Sequence, residues 1–389
     1  MTGAPRRRLR LGMVGGGADA FIGAVHRLAA RIDDRYEFVA GALSSSPDKA
    51  MASGRALGLA EDRIYPDYKT MAEAESRRDD GIDVVSIVTP NHMHHDPAAN
   101  FLAAGIHVIC DKPMTTTVAD AVDLVKRVRE TGLVFGLTHN YTGYPLVRQA
   151  REMVAAGELG EIRVIQAEYA QGWLSTPLEQ SGQKQASWRT DPARSGAGGC
   201  IGDIGTHAYN LACFISGQEA ETLSAQLTTF VPGRALDDDA QIMLRYAGGA
   251  RGMLWSSQVA VGEENGLTLR IYGTKGGLRW AQEVPNQMTF LSQDGRPQIV
   301  TRGGAGLGDA AGSSTRVPPG HPEGYQEAFA TLYRDLADMI HAHIEGAVPP
   351  PAAALVPTVE DGAKGVRFIE AAVESSRNDA AWTKLALSP

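Results

Sequence analysis

Cysteine is nearly missing from this chain: Cys110, Cys200 and Cys213 are the three in 389 residues, with no CxxC spacing. An odd, scattered set excludes a disulfide framework or a cysteine-built zinc site and points to a reducing, cytoplasmic setting. Also missing is any apolar run of transmembrane length, roughly 20 residues, so no membrane partner is expected. The basic PRRRLR at 5–10 runs straight into LGMVGGGADA, without an apolar stretch long enough for a signal peptide. It reads as a solvated lead-in to a first strand. A basic excess is lacking as well. Lys and Arg number 37 against 45 Asp and Glu, a net charge of −8, which argues against a nucleic-acid partner and its phosphate contacts.

What the chain does have is length for two domains and an abundance of glycine, 44 residues. Its first part alternates apolar strand-like runs with helical stretches. The runs are LRLGMVG (9–15), YEFVAGAL (36–43), IDVVSIVTP (82–90), GIHVICDKP (105–113) and LVFGLTH (133–139). Helices are expected from about Phe21 to Ala30, from Pro47, over DPAANFLAAG and over 117–131. The order predicts an α/β domain at 1–140, a doubly wound Rossmann parallel sheet with right-handed crossovers.

Ligands of such sheets bind outside the carboxyl ends of the strands. Four groups fall there: the Gly15-Gly16-Gly17 turn, Thr89-Pro90-Asn91-His92, Lys112-Pro113 and His139-Asn140-Tyr141. Glycines let the backbone approach a pyrophosphate, and the helix start at Ala20, Phe21 and Ile22 offers free amides and a positive dipole end. The third place of the glycine pattern falls to Ala20, or to Gly23 after a three-residue insertion. Strand two ends in Ser44-Ser45-Ser46-Pro47-Asp48-Lys49, where NAD enzymes carry an acidic ribose ligand. Ser44, Ser45 and Lys49 suit a 2′-phosphate, or else cap a helix; NAD and NADP both stand. His92, His94 and His95 have no cysteine or clustered carboxylate beside them. No metal is therefore expected, and His94 is placed near the cofactor.

Residues 141–389 change character. A helix over 143–160 and a strand over 161–170 precede four more strand-like runs: TLSAQLTTFV, AQIMLRYA, ARGMLWSSQVA and LTLRIYG, with a hairpin turn at Gly248-Gly249. Crossovers are absent, so the second domain is α+β, built on a large, mainly antiparallel open sheet with helices on one face. Such a sheet invites packing against a copy of itself, and a homodimer or homotetramer is expected. The DDD run at 237–239 reads as a solvated loop, and 303–315 as a flexible one. A long helix over 323–345 places Phe329, Leu332, Tyr333, Leu336, Ile340 and Ile344 at core spacing, with His341 and His343 on its surface. A last helix at about 358–377 is expected to pack back on the first domain.

The chemistry centres on GGCIGDIGTHAYN, 198–210. Asp203 and His207 stand four apart, on one face if the segment is α-helical. A neutral imidazole held by a carboxylate is a good base near pH 7. Lys112, at a strand's carboxyl end, is placed to bond a substrate hydroxyl and stabilise developing alkoxide charge. Pro113 biases it to extended backbone and permits a cis bond.

Together these pieces resemble the Gfo/Idh/MocA family of NAD(P)-dependent oxidoreductases (glucose–fructose oxidoreductase, inositol dehydrogenase and relatives). The resemblance runs essentially end to end. It is carried by the GGG loop, TPNHMHH, the family's E-K-P present as Asp111-Lys112-Pro113, and G-D-x-G-x-H present as GDIGTH. It implies a dinucleotide held by Gly15, Gly17, Ala20, Phe21, Ile22, Thr89, Pro90, Asn91, His94, Asp111 and Lys112. It also implies that Lys112, Asp203 and His207 are catalytic, with Asp203 and His207 as substrate ligand and proton acceptor or donor. HNYTGYP (139–145) resembles the family's N-Y-R segment without its arginine, which brings Asn140 and Tyr141 to the substrate. SGQKQASWRTDPARSGAGG (181–199) is expected to loop over the pocket, with Lys184, Trp188 and Arg189 suited to a polyhydroxylated ring. The expected activity is hydride transfer from a secondary hydroxyl of a sugar, glycoside or cyclitol, His207 taking the proton. The alternatives are an NAD-dependent glycosidase working through a transient 3-keto sugar, and a non-catalytic dinucleotide sensor.

Overall fold

The computed structural model of the chain describes residues 6–18 and 20–387; Pro5 of the basic lead-in and Asp19 of the glycine turn lie outside them. The first half forms strands β1 (Leu9–Gly15), β2 (Tyr36–Ala42), β3 (Val84–Val88), β4 (His107–Cys110) and β5 (Phe135–Leu137). They make one parallel sheet in the order β2-β1-β3-β4-β5. Every residue of β3 and β4 is buried, as sheets covered on both faces require. The crossovers carry α1 (Phe21–Ile32), α2 (Pro47–Ala56), α3 (Tyr68–Ser76), α4 (His95–Ala103) and α5 (Val118–Thr131). Local signals set their ends. Thr117 accepts the Asp120 amide at 3.1 Å to start α5, and left-handed Gly132 (φ 69°) stops it. Val25 and Ala29 of α1 cover one sheet face, while Ala98 and Leu102 of α4 and Leu124 of α5 cover the other.

The second half contains α6 (Pro145–Ala155), β6 (Ile162–Ala170), α7 (Lys184–Arg189), α8 (Pro192–Ser195) and α9 (Thr206–Ser216). Strands β7 (Ala220–Thr228), β8 (Asp239–Tyr246), β9 (Arg251–Ser257), β10 (Gly266–Gly273), β11 (Gly276–Ala281), β12 (Gln287–Ser292) and β13 (Gln298–Thr301) follow. After them come α10 (Asp309–Ser314), α11 (Tyr325–Glu345), α12 (Val359–Arg377) and β14 (Thr383–Lys384). The sheet order is β13-β12-β11-β10-β6-β9-β8-β7-β14, antiparallel everywhere except at the β6–β9 pair. Alternation is clear in β8, where Ile242, Leu244 and Tyr246 are buried and Gln241, Met243 and Arg245 exposed. The buried face rests on α6, α9 and α12. The Gly248-Gly249 hairpin joins β8 to β9, with Gly249 at φ 87°.

Three expectations change. The segment 303–315 is not a flexible loop. It contains α10, anchored to α6 by the Gly308 amide on Gln149 Oε1 (2.8 Å) and the Ala310 amide on Glu152 Oε1 (3.0 Å). Helix α11, far from the first domain in sequence, lies on the first sheet beside α1 through Phe329, Tyr333, Leu336 and Ile340. That docking buries His341, expected at the surface, while Ile344, expected in the core, is exposed. Helix α12 is wedged between both halves, with Val359, Ala363 and Val366 in the first core and Phe368, Ile369 and Ala372 in the second.

Candidate active site

The β1–α1 turn is a cradle that side chains would fill. Gly15 (φ 77°) and Gly16 (φ 64°) adopt left-handed backbone that non-glycine residues avoid. A Cβ on Gly15 would lie 2.9 Å from Thr89 Cγ2, and one on Gly17 2.9 Å from Ser53 Oγ. The third-glycine role belongs to Gly23 rather than Ala20: a Cβ there would lie 2.4 Å from the Gly16 carbonyl oxygen, so helix and turn touch through bare backbone. Ala20 is instead the N-cap of α1 and supplies no side-chain cap, leaving first-turn amides at Phe21 and Ile22 without that partner. These donors, set beside a turn open to close approach, fit a dinucleotide pyrophosphate. Buried Arg27 braces the turn by donating to the Gly16 carbonyl. At the end of β2, Ser44 Oγ accepts the Ser46 amide at 3.2 Å, while Ser45 and Lys49 are exposed.

The next strand ends tie this cradle to the second half. Thr89 Oγ1 donates to the Met93 carbonyl at 2.9 Å, and Asn91, after Pro90, donates from Nδ2 to the Ser195 carbonyl at 3.0 Å. His94 is fully buried, with one ring nitrogen 2.8 Å from the Pro113 carbonyl oxygen and the other 2.8 Å from that of Thr89. His94 thereby braces the ends of two strands. Asp111 Oδ1 accepts the Lys112 amide (2.9 Å) and Thr138 Oγ1 (2.8 Å), joining the ends of β4 and β5. The Lys112–Pro113 peptide is cis.

Lys112 crosses to the second half, where its Nζ donates to Asp203 Oδ1 at 2.9 Å and to the Asp203 carbonyl. Asp203 also accepts Arg189 Nε (3.0 Å) and Gln258 Nε2 (2.9 Å), both on Oδ2. Burial alone would raise its pKa, but Arg189 and then Lys112 outweigh burial and hold the carboxyl below the usual range. His207 is buried at the start of α9, its imidazole held well below the ordinary pKa by burial and then by the Lys112 charge. Asp203 and His207, expected to pair, make no hydrogen bond. Residues Ile201–Gly205 form a π turn, in which residues four apart no longer stack. The cations and Gln258 therefore take the carboxylate. His207 Nδ1 instead lies 3.4 Å from His139 Nδ1, and its ring meets Tyr141 edge-on with centroids 4.9 Å apart.

Tyr141 also bonds Tyr169, whose hydroxyl donates to Asn265 Oδ1 at 2.8 Å. Asn140 is buried, with no partner for Nδ2 among the described residues. From α7, Arg189 reaches Asp203 and stacks on Trp188, 4.3 Å from guanidinium carbon to ring centroid. Lys184, at the other end of α7, is exposed and its ammonium joins no ion pair among the described residues. The DDD run is not solvated: all three residues are buried. Asp237 accepts the Gly199 (2.6 Å) and Ile201 (2.8 Å) amides at the start of the π turn, and burial pushes its carboxyl up to about 6. Asp238 accepts the Phe230 and Val231 amides and Arg234, and Asp239 accepts Trp255 Nε1 at 3.0 Å. Sequence reasoning placed His139 at a ligand-facing strand end without its partner His207, read Asp237 as a solvated loop residue, and missed Gln258. A histidine just past a strand and a run of acids before one were the visible signals.

Residues 9–139 match the family described as "oxidoreductase family, NAD-binding Rossmann fold", and residues 147–279 match the GFO/IDH/MocA C-terminal domain. A solved oxidoreductase from Sinorhizobium meliloti is 51% identical, with TM-score 0.89 and 97% of this chain and 100% of that one covered. An inositol dehydrogenase homolog from Azotobacter vinelandii, solved with NADH and myo-inositol, is 37% identical with TM-score 0.89, covering 97% and 98%. Levoglucosan dehydrogenase of Pseudarthrobacter phenanthrenivorans is 28% identical over 72% of this chain and 76% of its own length.

Proposed function

The chain belongs to the Gfo/Idh/MocA family of NAD(P)-dependent oxidoreductases, and from that premise we propose that it oxidises a secondary hydroxyl of a sugar, glycoside or cyclitol to the ketone. One observation carries the proposal. At the mouth of β4, Lys112 and Asp203 form a part-buried ion pair, and the neutral imidazole of His207 lies close enough to it to feel the Lys112 charge. When bound, the dinucleotide supplies the hydride acceptor at nicotinamide C4, while Gly15, Gly17 and the α1 start, with Thr89 and Lys112 alongside, hold it. His207 takes the hydroxyl proton as the carbinol C–H pair departs and the C=O bond forms. Its depressed pKa keeps it unprotonated and ready at neutral pH. Lys112 has three ammonium protons, and the one not given to Asp203 is free to stabilise alkoxide charge. A carboxylate has about four acceptor positions. Asp203 has its three side-chain donors already, so one remains for a neighbouring hydroxyl of the substrate.

The relatives' names point to substrates of this class, levoglucosan and myo-inositol among them. NAD or NADP is left to the Ser44–Lys49 segment, which carries no acid at the ribose position of strand two. The broad outer sheet face supports a homodimer or homotetramer. A panel of sugars, glycosides and inositols with each cofactor, followed by absorbance of reduced nicotinamide, tests the proposal. Glycoside cleavage without net reduced cofactor would replace it with the glycosidase reading. His207→Ala should lower turnover by about two to four decades, the span of general acid–base groups. Full activity in that variant rules out His207 as the proton acceptor.

A further inference from the structure

A histidine base must present one bare nitrogen, and whatever bonds the other nitrogen decides which is bare. A carboxylate often does this, but Asp203 bonds Lys112, Arg189 and Gln258. The only hydrogen-bond partner of the His207 ring among the described residues is His139, Nδ1 to Nδ1 at 3.4 Å, with the rings at 81°. Two imidazole nitrogens bond only when one carries the proton and the other does not. Such catalytic bonds are often long in ligand-free enzymes and tighten around substrate.

His139 is built into place. It follows β5, its amide donates to the Leu137 carbonyl at 2.9 Å, and its own carbonyl accepts the Thr142 amide (3.1 Å) and hydroxyl (2.9 Å). Both rings are buried, and the Tyr141 ring standing edge-on to His207 opposes rotation of that imidazole. We propose that His139 is the positioning residue of the active site: its bare Nδ1 accepts the Nδ1–H of His207, which leaves His207 Nε2 bare for the substrate proton. This rests on His207 being the proton acceptor. Burial, then the Lys112 charge, hold His139 at about 3, so it stays a neutral acceptor at working pH. A neutral holder fixes the tautomer without adding negative charge beside the pair of Lys112 and Asp203. When Nε2 takes the substrate proton, Nδ1–H remains on His139 and no proton passes between the two rings.

The test labels the full-length protein with 15N-histidine and reads the tautomer of His207 by two-bond 1H–15N correlation, its signal identified by its loss in His207→Gln. His139→Asn places an amide oxygen near the lost Nδ1, whereas His139→Phe keeps a ring of similar volume with no acceptor. The Nδ1–H tautomer is expected in the wild type and in His139→Asn, and a mixture of tautomers in His139→Phe. With NAD+ and myo-inositol or levoglucosan, His139→Phe should lower kcat by about ten- to a hundredfold, within the range of acid–base contributions. KM should change little, and His139→Asn should recover most of the loss. An Nε2–H tautomer in the wild type, or an unchanged tautomer in His139→Phe, overturns the proposal. Equal loss of kcat in both variants would also overturn it, by assigning His139 to packing. If the tautomers behave as expected but His207→Gln remains fully active, the bond stands and the role of His207 as the base fails.

Discussion

Asp237 holds the start of the π turn on its two carboxylate oxygens, so a residue outside the substrate pocket sets the position of Asp203. Its folded pKa is raised from the ordinary carboxylate value to about 6, chiefly by burial, with the two amide bonds opposing. A raised value means that its contribution to stability is fully present below the unfolded pKa near 4 and is lost as pH rises through about 6. Asp237→Asn removes that titration. Between pH 5 and 7.5 the Tm of the variant should therefore gain on the wild type by the equivalent of roughly 1 kcal/mol, a few degrees. Parallel Tm–pH curves would refute this. Lys112, Asp203 and His207 were legible in the sequence because each sits in a short motif with glycine or proline beside it. Their bonds were not, since Arg189 and Gln258 approach Asp203 from α7 and from just beyond β9.

Elements meet through glycine at the cofactor cradle. The contact between α1 and the β1 turn is backbone on backbone at Gly23 and Gly16, and Gly23→Ala forces 2.4 Å between the new Cβ and the Gly16 oxygen. Something must shift, at a cost of about 1–3 kcal/mol for such overpacking. The dissociation constant for NADH, read by fluorescence titration, should rise at least about tenfold, which about 1.4 kcal/mol accounts for. Ala20→Gly, which adds nothing to the contact, should bind NADH nearly as the wild type does. Unchanged NADH binding by Gly23→Ala would return the third position to Ala20. Most strands and long helices were legible from apolar runs and periodicity. The π turn and α10 were not, because one depends on Asp237 and the other on Gln149 and Glu152 of a distant helix.

At the scale of the molecule, α11 and α12 stitch the halves together: one covers the first sheet and the other shares its length between two cores. The helices that pack on the nine-stranded sheet, α6, α9 and α12, cover its buried face; a second face points outward. One row across it runs Met243, Met253, Gln166, Arg270, Arg279, Thr289 and Ile299 from β8 to β13. Met243, Met253 and Ile299 are 49%, 48% and 66% exposed, apolar side chains at the two ends of a row whose middle is polar, and a partner sheet would cover them. The proposed homo-oligomer uses this face. Light scattering after size exclusion should give a multiple of 41.4 kDa for the wild type and a smaller species for Met243→Glu with Met253→Glu. A monomeric wild type would refute it.

By itself, the sequence determined the order of strands and helices, the glycine turn and the residue types of the site. Those features depend on near neighbours along the chain: alternation, helical period, a proline or a glycine at a boundary. Tertiary structure decided what each site residue does with its atoms. A π turn rotated Asp203 away from His207, Gly23 rather than Ala20 met the cradle, burial turned an acidic run into three acceptors, and His139 became the partner of His207. Each of these outcomes depends on groups tens of residues or more apart competing for the same donor, acceptor or space, and that competition exists only once the chain is folded.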